Sequence, residues 1–212
     1  YLSLSTRYNG FSPKTLESCL ATKPEFFCKI IKLAYRSEKK LQNEQNEQNE
    51  QNEQNEKDIN IAINAYELLD KWRQPPGVQS DGSFLKEEFT SWLKQVKDKC
   101  TQSGHLNVAF SRIGKVLFFS KILDQVVVLE ALNDIDAENM RDGFKYAAFN
   151  SRGVHIIEST GEQEKLLAQK YGTQAEDINN KSYHRLAETL NELAKYYEND
   201  MKMIIKNHHS RS

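Results

Sequence analysis

The 212-residue sequence is poor in the features that would place it quickly. It holds three cysteines, Cys19, Cys28 and Cys100, an odd number without the paired short spacings of a zinc site or a secreted disulfide framework. Free thiols in a reducing cytosol are therefore expected. No apolar run approaches the ~18 residues of a spanning helix, and no basic-then-apolar segment opens the chain, so a membrane role is not expected. Charge of one sign is also missing: 29 basic and 30 acidic side chains leave a net charge of -1. That balance supplies no bulk attraction for nucleic acid. The chain begins at Tyr1 rather than Met, inside what reads as ordinary helical sequence, which points to an upstream portion.

Four prolines and nine glycines punctuate long stretches of helical periodicity. Between Phe11 and Tyr35 the pattern predicts two short helices, the first capped by Ser12 with Pro13 following, the second opened by Pro24. Phe26, Phe27, Ile30, Ile31 and Ala34 recur at helical spacing as a buried stripe. Residues Gln42 to Glu56 are five copies of Gln-Asn-Glu, too polar to offset the entropy of ordering, and read as a linker.

Beyond the repeat, Ile59, Ala62, Ile63, Tyr66, Leu69 and Trp72 predict the buried face of a helix that Pro75 and Pro76 stop. A turn-rich connection follows, with Ser83 placed to cap a helix that carries Leu85, Phe89, Trp92, Leu93, Val96 and Cys100 inward. The runs Val116 to Phe119 and Val126 to Leu129 fit strand or buried helix by periodicity, with helix the preferred reading. Around Val154, Ile156 and Ile157 there is room for a short extended piece. The last helix carries the stripe Tyr183, Leu186, Ala187, Leu190, Leu193, Ala194, Tyr197, Met201 and Ile204. Its spacing also fits about three heptads, enough to raise helix-mediated dimerisation.

The expected fold is mainly α, a multi-helix bundle or irregular helical array with at most one short β-hairpin. The expected divisions are a helical segment at 1–41, a repeat linker at 42–56, a helical domain at 57–206 and a disordered tail at 207–212. Phe26, Phe27, Trp72, Trp92, Leu190 and Tyr197 are the expected core anchors.

The segment Trp72-Arg-Gln-Pro-Pro-Gly-Val-Gln-Ser-Asp-Gly-Ser83 resembles the C-terminal helical region of large uncharacterised bacterial proteins with a Trp-x-x-Pro-Pro-Gly-x-Gln-x-Asp-Gly-Ser connection. Their later Asn-x-Arg-Gly turn and Gly-x-Gln-Glu helix start match Asn150, Arg152 and Gly153, then Gly161, Gln163 and Glu164. Pro-Glu-Phe-Phe at 24–27 resembles the segment before their variable polar insert. The match departs between Val116 and Asn133. The resemblance implies a fragment of a longer bacterial protein and attaches no activity to it.

Candidate chemistry is sparse. His184 and Glu188 share a helix face, but two ligands make no metal site, and HExxH and paired CxxC are missing. Cys28 and Cys100 fall near apolar stripes, where a small buried thiol is the common case. Gly161-Glu162 places negative charge at a helix start, which suits the dipole and repels phosphate. No catalytic residue, metal or cofactor is therefore assigned. Arg152 in the Asn-Ser-Arg-Gly turn could clamp a carboxylate or phosphate, or simply pair with a neighbouring carboxylate. With Asn150, His155 and Gln163 beside it, and with Trp72 next to the Pro-Pro turn, it forms the set of candidate binding residues.

The preferred functional reading is a non-catalytic interaction or scaffold module that holds a protein partner or a second copy of itself. The rival is an accessory domain of an enzyme or nucleic-acid effector whose active site lies upstream.

Overall fold

The computed structural model describes residues 14–35, 52–153 and 160–209. Among them the architecture is mainly α: α1 (Lys14–Thr22), α2 (Pro24–Ala34), α3 (Asn52–Lys71), α4 (Lys86–Ser103), α5 (Leu106–Phe119), α6 (Val126–Asn133), α7 (Glu138–Asn150), α8 (Glu162–Asn180) and α9 (His184–His209). A 3-10 turn at Ile135–Ala137 joins α6 to α7. No helix among the described residues is long and apolar enough to cross a membrane.

Proline fixes φ and lacks an N–H that the first turn would leave unpaired in any case, so Pro24 starts α2 as expected. The β-branched and aromatic runs at Val116 to Phe119 and Val126 to Leu129 are helix, in α5 and α6. Asn52 to Glu56, in the last two repeat copies, extend α3 toward its N-terminus rather than belonging to the linker. Adding turns to a helix already nucleated and packed costs little, even without apolar contacts. By the same reasoning α9 continues through Asn207 to His209. The Ser12-Pro13 cap, the rest of the repeat and the extended piece at Val154 to Ile157 lie outside the described residues.

Two local expectations are corrected. Ser83 does not cap α4; the helix begins at Lys86 with Leu85 as its flanking residue. The Ser83 carbonyl accepts from Gln79 N–H at 2.9 Å, and Leu85 N–H donates to Gly77 at 2.8 Å. Together with a bridge between Val78 and Phe84, these bonds commit the segment to a small hairpin-like turn before a helix can start. The second correction is the face of α3. Leu69 and Trp72 are buried as expected, but Ile59, Ile63 and Tyr66 are 56%, 39% and 46% exposed, and Ala65 and Leu68 complete the covered side instead.

Buried side chains from all nine helices form one cluster. At one end Phe27, Trp72 and Trp92 pack with ring centroids 5.0 to 6.1 Å apart. Trp92 Nε1 donates to the Leu20 carbonyl at 3.1 Å, tying α1 to α4. Helices flanking the repeat thus share one core. At the other end α8 and α9 form an antiparallel pair in which Tyr171 stacks on Tyr197 at 5.8 Å. Leu190 is also buried there, while Phe26 is half-buried.

The α8 end is a Schellman motif: Tyr183 N–H donates to Ile178 and Ser182 N–H to Asn179. Ser182 occupies the left-handed position at φ 67°, whereas the same motif closing α4 has Gly104 there at φ 70°. A Cβ makes that conformation costly. Ser182→Gly is therefore expected to raise stability by about 1 kcal/mol, read as a higher urea midpoint at unchanged m-value; a lower midpoint would show that the serine side chain contributes more than its backbone strain costs.

Candidate functional site

The centre of the molecule is a helix crossing made possible by two glycines. A Cβ built on Gly114 of α5 would fall 1.8 Å from the Met140 carbonyl oxygen, and one on Gly143 of α7 would fall 1.9 Å from that of Ser111. The backbones approach so closely that only hydrogen fits between them. Longer side chains flanking the crossing then splay outward and become walls.

The space they enclose is a cleft of about 510 Å³. One face of α3 contributes Tyr66 and Asp70, the connection after it contributes Arg73, α5 contributes Val108, Ser111, Arg112, Lys115 and Phe119, and α7 contributes Gly143, Tyr146, Ala147 and Asn150. These spacings of three, four and seven place each set on one side of its helix. Tyr35 completes the rim. Its carbonyl oxygen lies 3.3 Å from His105 Nε2, which donates to it and holds the end of α2 against the start of α5.

Positive charge is concentrated here. Arg73, Arg112 and Lys115 face the single carboxylate of Asp70 among the lining residues. Lys115 Nζ donates to Asp70 Oδ1, and Arg112 Nη1 approaches the same oxygen at 3.3 Å. Arg112 Nε donates to the Tyr35 hydroxyl at 2.6 Å, and Nη2 donates to it as well. The Arg112 guanidinium also lies 4.6 Å from the Tyr66 ring centroid, a cation–π distance. Arg73 is held differently, donating to the backbone carbonyls of Asp70 and Trp72 at 2.7 and 2.8 Å with its guanidinium 4.3 Å over Phe119.

Partial burial alone would push the Asp70 carboxyl up, but the Lys115 ammonium, then Arg112, outweigh it and hold the group below its ordinary value. Asp70 is thus ionised at neutral pH and anchors both cations. Burial pushes the Tyr35 phenol up, and Arg112 opposes this without cancelling it. The tyrosine stays a neutral hydroxyl. Asp70 is engaged by two of the three lining cations, and the arrangement is suited to holding an anion.

The candidate residues from the sequence separate in space. Asn150 lines the cleft. Trp72 is buried in the aromatic core behind α3. Arg152 turns away and forms an ion pair with Glu164 at 2.6 Å, the two side chains being 14% and 1% exposed. Its guanidinium lies 5.6 Å from the Tyr197 ring. Gln163 is half-buried in the first turn of α8, and His155 lies outside the described residues. His184 Nδ1 is 2.8 Å from the Asn179 side-chain oxygen. Tyr66, expected on a buried stripe, and Arg73, inside the Trp72–Ser83 motif, are not among the candidate binding residues read from the sequence, nor are Asp70, Arg112 and Lys115; the one available signal is the pair of cations Arg112 and Lys115 inside a mainly apolar helix.

No protein-family model, curated protein or solved structure matches the chain.

Proposed function

We propose that this chain is a non-catalytic interaction module of a larger bacterial protein and that the cleft between α3, α5 and α7 holds an acidic segment of a protein partner. The observation that carries this reading is the set of three cations against one carboxylate, Asp70, within aromatic walls. A carboxylate entering beside Arg73 and Arg112 would accept planar, charge-assisted hydrogen bonds. Ile59, Ile63 and Tyr66 form an exposed apolar ridge along α3 that leads into the cleft. This pairing of apolar ridge and cationic end fits an amphipathic peptide carrying aliphatic side chains before its acids.

The rival, an accessory domain of a nucleic-acid effector, draws on the same cations and tyrosines. The ridge favours protein, since isoleucines offer bases no stacking surface. The whole chain's net charge of -1 also gives a polyanion little long-range attraction.

Fluorescence polarisation with a labelled Leu-Ala-Ala-Leu-Glu-Glu-Glu peptide tests the proposal, with a single-stranded oligouridylate as competitor. Arg73 and Tyr146 are exposed, so Arg73→Ala and Tyr146→Ala should fold normally. Each is expected to weaken peptide binding about tenfold, or about 1.4 kcal/mol. Unchanged affinity in both variants, or an oligouridylate that displaces the peptide and binds with a steep salt dependence, overturns it.

A further inference from the structure

A second cationic cleft lies away from the first, where α2 packs on α4. It encloses about 540 Å³, with Lys29, Lys32, Lys99 and Glu25 on its walls and Cys28 reaching its surface. Glu25 is engaged by Lys99 at 3.5 Å. Behind Cys28 lies Cys100: the thiol of Cys100 donates to the Cys28 sulfur across 3.4 Å, in a buried contact between residues 72 positions apart. Cys19, on α1, is half-buried.

This is an asymmetric thiol pair. The hydrogen bond from Cys100 is the largest influence on Cys28 and holds its thiol below the ordinary value against burial, with Lys32 and Lys99 adding to the effect. The same contact, reinforced by burial, pushes Cys100 up. A thiolate is the attacking form in both peroxide reduction and disulfide formation, and nearby lysines are the usual means of producing one. Cys28 thus has the environment of an attacking sulfur, and Cys100 is placed to resolve the product.

We propose that Cys28 and Cys100 form an oxidisable dithiol, in which a small hydroperoxide entering through the lysine-lined cleft oxidises Cys28 and Cys100 converts it to a disulfide joining α2 to α4. In the first step the Cys28 thiolate attacks the terminal peroxide oxygen; an S–O bond forms, the O–O bond breaks, and the leaving hydroxide or alkoxide takes a proton. In the second, the Cys100 sulfur attacks the Cys28 sulfenic acid; the S–S bond forms, the S–O bond breaks, and the Cys100 proton leaves with the oxygen as water. The two sulfurs together lose two electrons, and the peroxide gains them. The sulfurs must approach by about 1.4 Å to reach disulfide length, a movement within reach of side-chain rotation and a small helix shift.

The test treats the native protein with graded hydrogen peroxide, alkylates the remaining thiols and maps the peptides by mass spectrometry. The expected product has lost two hydrogen atoms, contains the Cys28 peptide cross-linked to the Cys100 peptide and reverts with dithiothreitol. It should form about tenfold faster than Cys19 is consumed. Cys19→Ser is expected to leave the product unchanged, whereas Cys100→Ser should trap Cys28 as a dimedone-reactive sulfenic acid. Prior oxidation of Cys19, cross-links between chains only, or a Cys28 that remains alkylatable when Cys19 is gone overturns the proposal. The native-protein result decides the matter even where Cys100→Ser fails to fold.

Discussion

Replacing Gly143 by alanine is expected to destabilise the protein by about 3 kcal/mol or more, among the larger effects available to a single methyl group. The added carbon would sit 1.9 Å from the Ser111 carbonyl oxygen, and the obstacle is helix backbone rather than a side chain that can rotate away. Gly114→Ala meets the Met140 carbonyl in the same way, so a similar loss is expected. Relief requires α5 and α7 to separate, which also opens voids around Phe118 and Phe144, now packed edge to face at 5.3 Å. Gly172→Ala supplies the control, because nothing lies within 4 Å of its added carbon and it sits inside α8. There alanine should stabilise by about 0.5–1 kcal/mol through helix propensity and a less mobile unfolded chain. Urea unfolding of the three variants separates the two cases, and a Gly143→Ala midpoint as high as that of Gly172→Ala would rule out so close a crossing. Because Ser111 and Gly143 form part of the cleft lining, the crossing variants should also lose affinity for the acidic peptide wherever they remain folded.

Arg152→Ala is expected to cost about 3 kcal/mol, with a fall in Tm of roughly 10 °C. Glu164 is almost fully buried, and the Arg152 guanidinium is its cation at 2.6 Å. Removing that cation leaves a carboxylate that has given up water and lost its main compensating charge. The position of Glu164 in the first turn of α8 softens the loss, since a helix N-terminus favours negative charge. The double variant Arg152→Met with Glu164→Leu should recover much of the stability, because it removes the desolvated charges together. Calorimetry of both proteins tests this. An Arg152→Ala variant within about 0.5 kcal/mol of the parent would mean that the pair does not hold the α7–α8 junction and would return Arg152 to the set of possible ligand contacts.

These two sites show where sequence reading succeeds and stops. Helical periodicity located α4 and α9 with most of their buried residues, because each has one apolar stripe and one charged side; Leu85, expected inward, is 41% exposed just before α4 begins. On α3 the expected stripe holds only in part: Leu69 and Trp72 are buried, whereas Ile59, Ile63 and Tyr66 are exposed. Ile59, Ile63 and Tyr66 and the set Ala65, Leu68, Leu69 and Trp72 are both apolar at helical spacing, and periodicity says that a stripe exists without saying which is covered. The uncovered one became the ridge that leads into the cleft. The choice of Asn150 as a binding residue reached that cleft from a turn motif, while Arg152, two positions later, faces another element altogether.

By itself the sequence determined that the chain is helical, where most of its helices lie and that Phe27, Trp72, Trp92 and Tyr197 are buried, because propensity, proline placement and apolar spacing act over a few neighbouring residues. Only the tertiary structure decided that Gly114 and Gly143 meet backbone, that Cys28 and Cys100 touch, and that Arg112 and Lys115 of α5 converge on the Asp70 carboxylate of α3. Those facts depend on which helix faces cross and how closely. Crossing geometry follows from packing the whole core at once, and no single segment carries it.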